Sequence, residues 1–111
     1  MPQPQAERRR YPRVRAGFPV ALTDSSGLEL LTKTIDLSDG GALIPVPFSG
    51  APAVGQEIDI KLTLPVMIAG YQRERVVACR AFVVRHQDLG LTSQIGIGIE
   101  FATPQKLDLL G

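Results

Sequence analysis

The stretch Glu57-Ile58-Asp59-Ile60-Lys61-Leu62-Thr63-Leu64 decides the fold. Charged or polar residues alternate with Ile58, Ile60, Leu62 and Leu64 in a strict period of two. That is the period of a β-strand with one buried and one wet face. A strand of this kind belongs to an antiparallel sheet, because parallel strands are covered on both faces. Ile95–Phe101 repeats the pattern, with Ile95, Ile97, Ile99 and Phe101 on one face and Gly96, Gly98 and Glu100 on the other. Val76–Arg85 is β-rich with broken alternation, which predicts a bulge or burial on both sides. Weaker strands are expected at Phe18–Thr23, Glu29–Asp36 and Gly41–Val46, the first two joined by the turn Asp24-Ser25-Ser26-Gly27. Pro45–Gly55 reads as a loop.

Six short strands imply an all-β fold, a barrel or a sandwich. Toward the end, Thr103 suits a helix cap and Pro104 the first helical position. A short C-terminal helix is therefore expected over Lys106–Leu110, with Leu107, Leu109 and Leu110 closing one barrel opening. Residues 1–6 carry two prolines and two glutamines and are expected to be disordered, leaving 7–111 as a single domain.

Composition removes several function classes. Apolar residues make up 44% and charged residues 21%, which are globular values. Cys79 is alone, so an intramolecular disulfide is impossible and no cysteine-based metal site is expected. His86 is the single imidazole, so a His-rich metal site is excluded. No apolar run approaches the ~20 residues of a membrane-spanning helix. The basic start is not followed by the apolar segment of a secretory signal, so a soluble, cytoplasmic protein is expected. Cys79 reads as a small buried hydrophobe, and neither Ser38 nor Ser93 sits in a nucleophile-elbow motif. No catalytic residue and no cofactor is expected; the chain does not read as an enzyme.

The formal charge of +1 conceals a split. Residues 1–15 hold Arg8, Arg9, Arg10, Arg13 and Arg15 against Glu7, whereas residues 16–111 hold seven basic and ten acidic groups, a net −3. Pro12 prevents a helix through the arm and pushes Tyr11 toward extended geometry. Arg9 and Arg13 can then reach around one anion, since guanidinium matches phosphate bidentately and stacks on purines. A solvated basic tail explains the same residues. The second candidate is Asp36-Leu37-Ser38-Asp39-Gly40-Gly41. It is a tight turn by composition. Alternatively, Asp36 beside Ser38 accepts N–H groups from a guanine edge while Gly40 and Gly41 let the backbone approach a ligand. The third, Gly96-Ile97-Gly98-Ile99-Glu100-Phe101, lacks the third glycine and the helix of a dinucleotide fingerprint. Its glycines instead signal curvature or a close approach by another segment. Arg85, at the end of an apolar strand, either faces solvent or adds a phosphate contact.

Taken together, these three motifs resemble the PilZ domain family. Arg9-Arg10-Tyr11-Pro12-Arg13 fits R-x-x-x-R, Asp36–Gly41 fits [D/N]-x-S-x-x-G, and Gly96–Phe101 is similar to the G-x-G-x-x-F closing strand. The likeness spans roughly residues 7–110. It implies a six-stranded antiparallel β-barrel with a C-terminal helix, here short, and a flexible basic N-terminal arm. It also implies binding of the bacterial second messenger cyclic di-GMP, with Arg9 and Arg13 on guanine and phosphate and with Asp36, Ser38, Gly40 and Gly41 on the other guanine edge. In this family the residue ahead of the first arginine is linked to ligand number. Here it is Arg8, which implies an intercalated ligand dimer. Arg10 and Arg85 are additional candidates. No effector or transmembrane segment is attached, so signalling through a separate protein effector is expected, unless the chain is a fragment of something longer. The arm is expected to stay open until an anion bridges it to the Asp36–Gly41 turn.

Two other functions compete. A single-stranded nucleic-acid binder would suit a small β-barrel, yet six aromatics, no Trp and an acidic body disfavour it. A PilZ-like interaction adaptor that binds no nucleotide would keep the motifs for structural reasons.

Overall fold

The computed structural model describes residues 12–109. Seven strands, β1 (Pro19–Thr23), β2 (Glu29–Lys33), β3 (Asp36–Leu37), β4 (Gly41–Pro47), β5 (Glu57–Ile68), β6 (Tyr71–Gln87) and β7 (Gln94–Phe101), form one antiparallel sheet. Its order is β2-β1-β5-β6-β7-β4-β3, so the two edge strands are neighbours in the chain. The sheet therefore curls into a partly closed barrel. The alternating side chains of Ile58–Leu64, with Val20, Leu22, Ile44, Val46, Val83, Ile97, Ile99 and Phe101, fill its interior.

The strand count differs from the expected six because Glu29–Asp36 is two strands. Thr34 N–H donates to Phe18 O (2.9 Å), and the next residue, Ile35, donates to Leu43 O (2.8 Å). The chain changes sheet edge between those residues. The Thr34 hydroxyl staples the corner, accepting from Phe18 N–H (3.0 Å) and donating to Ala16 O (2.7 Å). Thr32 Oγ1 adds a bond to Pro45 O (3.2 Å), drawing β2 toward β4. Pro45–Pro47 belongs to β4 rather than to the following loop. Asp24 holds the first turn, its carboxylate accepting Ser26 and Leu28 N–H groups at 2.9 and 3.1 Å.

The expected bulge in the sixth strand is present, as a register shift between Val83 and Arg85. The strand itself is longer than expected because β5 and β6 continue past the barrel as a two-stranded ribbon. Ala69 (φ 52°) and Gly70 (φ 83°) form its tip, the left-handed pair that a two-residue hairpin needs.

No helix forms over residues 103–109. Gln105 N–H donates to Asp39 O (2.8 Å) and Leu107 N–H to Asp39 Oδ1 (3.1 Å), so two alternate amides face one residue, as in extended chain. Asp108 then turns left-handed (φ 57°), which a helix does not permit. Leu107 still enters the core, and Leu109 packs against it, so this part of the barrel closure is as expected. Leu110 lies outside the described residues.

Candidate functional site

The site grows from a single backbone bridge. Val14 N–H donates to Leu37 O (2.8 Å) and Leu37 N–H to Val14 O (2.9 Å). Leu37 points into the core, so its neighbour Asp36 points outward. The bridge thereby sets Arg13 beside Asp36, with Arg13 Nη1 3.3 Å from both carboxylate oxygens. The pair is only partly shielded, with side-chain exposures of 32% and 16%. Arg13 is thus held against the barrel wall. Arg8, Arg9 and Arg10 lie outside the described residues.

Strand register extends the site sideways. Asp36 pairs with Leu43, Leu43 with Gly98, and Gly98 with Arg85. Directly paired residues share a face, so these four make one row across the outside of the barrel. Gly98 is its floor. A β-carbon there would lie 2.8 Å from Arg85 Cγ and 2.9 Å from its guanidinium carbon, so Arg85 lies flat across the glycine. Arg85 Nη2 also donates to Gln87 Oε1 (3.4 Å). Gly96 is covered in the same way by Leu89 and Leu43. The glycines of β7 mark close approaches, as their placement on one strand face predicts.

The Asp36–Gly41 segment is a turn whose polar groups are largely used internally. Ser38 is buried; its Oγ accepts from Gly40 and Gly41 N–H, both 3.2 Å, and donates to Gly41 O (3.3 Å). Gly41 has no alternative, since a β-carbon would sit 2.0 Å from Ile99 O. Gly40 carbonyl accepts Phe101 N–H (2.9 Å), joining the turn to β7. The structure brings together Arg13, Asp36, Ser38, Gly40, Gly41 and Arg85 on or beside one outer face. Asp36 is the outward acceptor of the turn, and Arg13 and Arg85 stand at the two ends of the row. Leu43 is 5% exposed and Gly98 is covered by Arg85, so a flat, anionic ligand on this face would rest on the Arg85 guanidinium and reach toward Arg13 at the far end.

Two contributors were not foreseen. Val14 sets the position of Arg13, and Asp39 joins the turn to Gln105 and Leu107. The bond from Leu107 N–H to Asp39 spans 68 residues and has no local sequence signal.

The remaining chemistry-bearing residues stand elsewhere. Burial raises the Cys79 thiol above its ordinary pKa, which suits a packed thiol rather than a nucleophile. His86 Nε2 is 2.7 Å from Pro52 O. Among the described residues no three His, Cys, Asp or Glu side chains cluster as metal ligands, and no helix is long and apolar enough to cross a membrane.

Comparison with known proteins bears on the fold and the family. The PilZ domain family model matches residues 7–110. No curated protein sequence matches. Among solved structures, the chain is similar to the Bacillus subtilis inhibitor of motility MotI/DgrA, with TM-score 0.72 and 19% identity over 87% of this chain and 44% of that one. It is similar to the PilZ domain of Escherichia coli YcgR with c-di-GMP, with TM-score 0.65 and 16% identity over 86% and 79% of the two chains. It is also similar to K. pneumonia MrkH in complex with c-di-GMP, with TM-score 0.61 and 23% identity over 91% and 46%. The chain spans under half the length of the MotI and MrkH chains. At these identities the likenesses establish the fold, and the family match across nearly the whole sequence establishes membership: the chain belongs to the PilZ domain family.

Proposed function

We propose that this chain is a cyclic di-GMP receptor module of the bacterial cytoplasm, a binding domain and not an enzyme. The observation that carries the reading is the Arg13–Asp36 pair, 3.3 Å apart at the end of a glycine-floored outer row that Arg85 closes. The ligand carries two phosphates and two guanines. A guanine edge offers N1–H and N2–H donors that suit a carboxylate, and its phosphates and purine faces suit guanidinium groups. In this reading Asp36, with the Ser38–Gly41 turn behind it, takes a guanine edge, and Arg13 and Arg9 take phosphate and the purine face. Arg85 and Arg10 add charge, and Arg8 reaches a second, intercalated nucleotide. Family membership and similarity to two structures that contain c-di-GMP support the assignment.

Binding must loosen Arg13 from Asp36, because both groups are needed by the ligand. The arm ahead of Pro12 then closes over the nucleotide, and a separate protein effector reads the new surface. Closing such a segment costs ordering entropy, which the charge-assisted contacts must exceed.

Calorimetric titration of the full chain with cyclic di-GMP tests this. Saturable binding at two nucleotides per chain is expected, with a raised Tm because the ligand binds the folded state. Arg9→Glu and Arg13→Glu should lose binding while circular dichroism and the unliganded Tm stay close to wild type. Unchanged affinity in Arg13→Ala would sink the site assignment. No Tm shift at saturating nucleotide would leave the interaction-adaptor reading.

A further inference from the structure

The β5–β6 ribbon beyond the barrel has two backbone edges, and they are not equivalent. β1 pairs with β5 only over Asp59–Leu62, and β7 pairs with β6 only over Ala81–Gln87. Both ribbon strands therefore lack an outer neighbour among the described residues. Such edges attract further strands and are normally blunted. The β5 edge is blunted. In an antiparallel pair, alternate residues turn their N–H and C=O groups outward. Val83 bonds toward β5 through Gly55 and Gln56, whereas Arg80 O bonds outward to Ala102. The outward residues of β6 are thus Gln72, Glu74, Val76 and Ala78. Opposite Glu74 stands Pro65, so the outward group of β5 at that level is a proline with no N–H to offer.

The β6 edge has no such residue, and its surroundings describe what would fit. Arg73 and Arg75 share one face. Arg73 lies over the Tyr71 ring at 5.6 Å, and Arg75 Nη2 is held by Lys106 O at 3.0 Å. The other face presents Gln72 and Glu74 toward the ribbon tip and Val76, 63% exposed, with Ala78 toward the barrel. A strand laid along this edge would have one set of side chains beside two cations and the alternate set beside Val76 and Ala78 near the barrel and Glu74 near the tip.

We propose that the β6 edge over Gln72–Ala78 is a docking site for an extended, acidic segment of another protein. The segment adds as a further strand, with carboxylates toward Arg73 and Arg75 and apolar side chains on the Val76 face. This inference stands apart from nucleotide binding. It concerns a surface whose backbone and charge pattern are present without ligand.

The test uses the full chain and two synthetic decapeptides, one alternating glutamate with valine and one alternating lysine with valine. Amide hydrogen exchange is followed residue by residue. With the acidic peptide in excess, exchange at Gln72, Glu74, Val76 and Ala78 should slow at least tenfold. Arg73 and Arg75, whose amides already face β5, should be unaffected. Val76→Pro removes an N–H that bonds to nothing inside the ribbon, so it should abolish peptide protection with little loss of Tm. Arg73→Glu should weaken acidic-peptide binding at least fivefold. Absence of protection, or equal protection by the lysine peptide, overturns the proposal. Protection that rises with protein concentration in the absence of peptide also overturns it, by giving the edge to a second copy of the chain.

Discussion

Gly41 and Gly98 lie on adjacent strands, and at both a β-carbon would collide with a neighbour, yet the collisions differ in kind. At Gly41 the obstacle is a backbone carbonyl, Ile99 O, at 2.0 Å, in the strand that β4 must pair with. At Gly98 it is the Arg85 side chain, at 2.8–2.9 Å, which has several rotatable bonds and solvent nearby. The first glycine allows the sheet to form. The second allows a cation to lie flat on its surface. Residue type alone does not separate these roles; the mobility of the neighbour does.

The largest effect is therefore expected for Gly41→Ala. The methyl group must displace backbone, which breaks the β4–β7 register beside the turn. A loss of about 3 kcal/mol is expected from overpacking of this kind, or roughly a 15 °C fall in Tm for a domain of this size. Thermal unfolding measures it, and a fall below a few degrees would show that the turn yields more readily than the 2.0 Å approach implies.

Ser38→Ala comes next. The hydroxyl accepts from two amides and donates to one carbonyl within a buried turn. Its removal leaves polar groups of Gly40 and Gly41 without their partner, at a cost of about 2 kcal/mol. Denaturant unfolding should show this without a change in m-value, because the sheet itself is retained. A near-neutral result would mean that the backbone bond from Ser38 N–H to Gly41 O (2.9 Å) holds the turn unaided.

The contrast also explains what was legible in the sequence. Glu57–Leu64 was readable because one face is buried along it, so burial imposes a strict period of two, whereas Ile95–Phe101 is buried on both faces and alternates in residue type because glycines sit under Leu43, Leu89 and Arg85. The division between β2 and β3 was not readable, because it depends on Phe18 and Leu43 offering partners on different sheet edges. The ribbon tip was hidden by Ala69, an unusual residue at positive φ. Thr103 and Pro104 carry local helix signals, but Asp39 takes the Gln105 and Leu107 amides from across the fold. A helix this short has little intrinsic stability to oppose that. In the site, the order of motifs placed Arg13, Asp36 and Ser38 within one region. The Val14 bridge and the Asp39 link are tertiary, with no periodic or compositional trace.

Gly98→Ala should separate surface from scaffold. Arg85 can swing away from the new methyl group, so the stability cost is expected to stay near 1 kcal/mol or below. The outer row would change, because the guanidinium can no longer lie across its floor. If Arg85 contacts the nucleotide, Gly98→Ala and Arg85→Ala should weaken cyclic di-GMP binding by similar factors, about tenfold. The double variant should then be no worse than either single one, since both changes remove the same contact. Additive losses in titration calorimetry would show that Gly98 acts through backbone geometry instead.

The smallest effect on stability is expected where the effect on binding is greatest. The Arg13–Asp36 pair is partly exposed, and pairs of that kind contribute about 0.5 kcal/mol. Val14 and Leu37 remain bridged through backbone whatever the neighbouring side chains are. Arg13→Ala should therefore move Tm by only a few degrees, and so should Asp36→Ala. Binding behaves differently, because each group meets the ligand in the proposed complex and neither is replaced by its partner. A loss of 100-fold or more in cyclic di-GMP affinity is expected for each. Arg13→Lys is the sharper variant: it keeps the charge and, through it, attraction to Asp36, but loses the planar fork that grips phosphate and stacks on guanine. Its unliganded Tm should match wild type while its affinity stays well below it. Wild-type affinity in Arg13→Lys would reduce the role of Arg13 to that of a point charge, and the geometry of the Val14 bridge would then matter only for the fold.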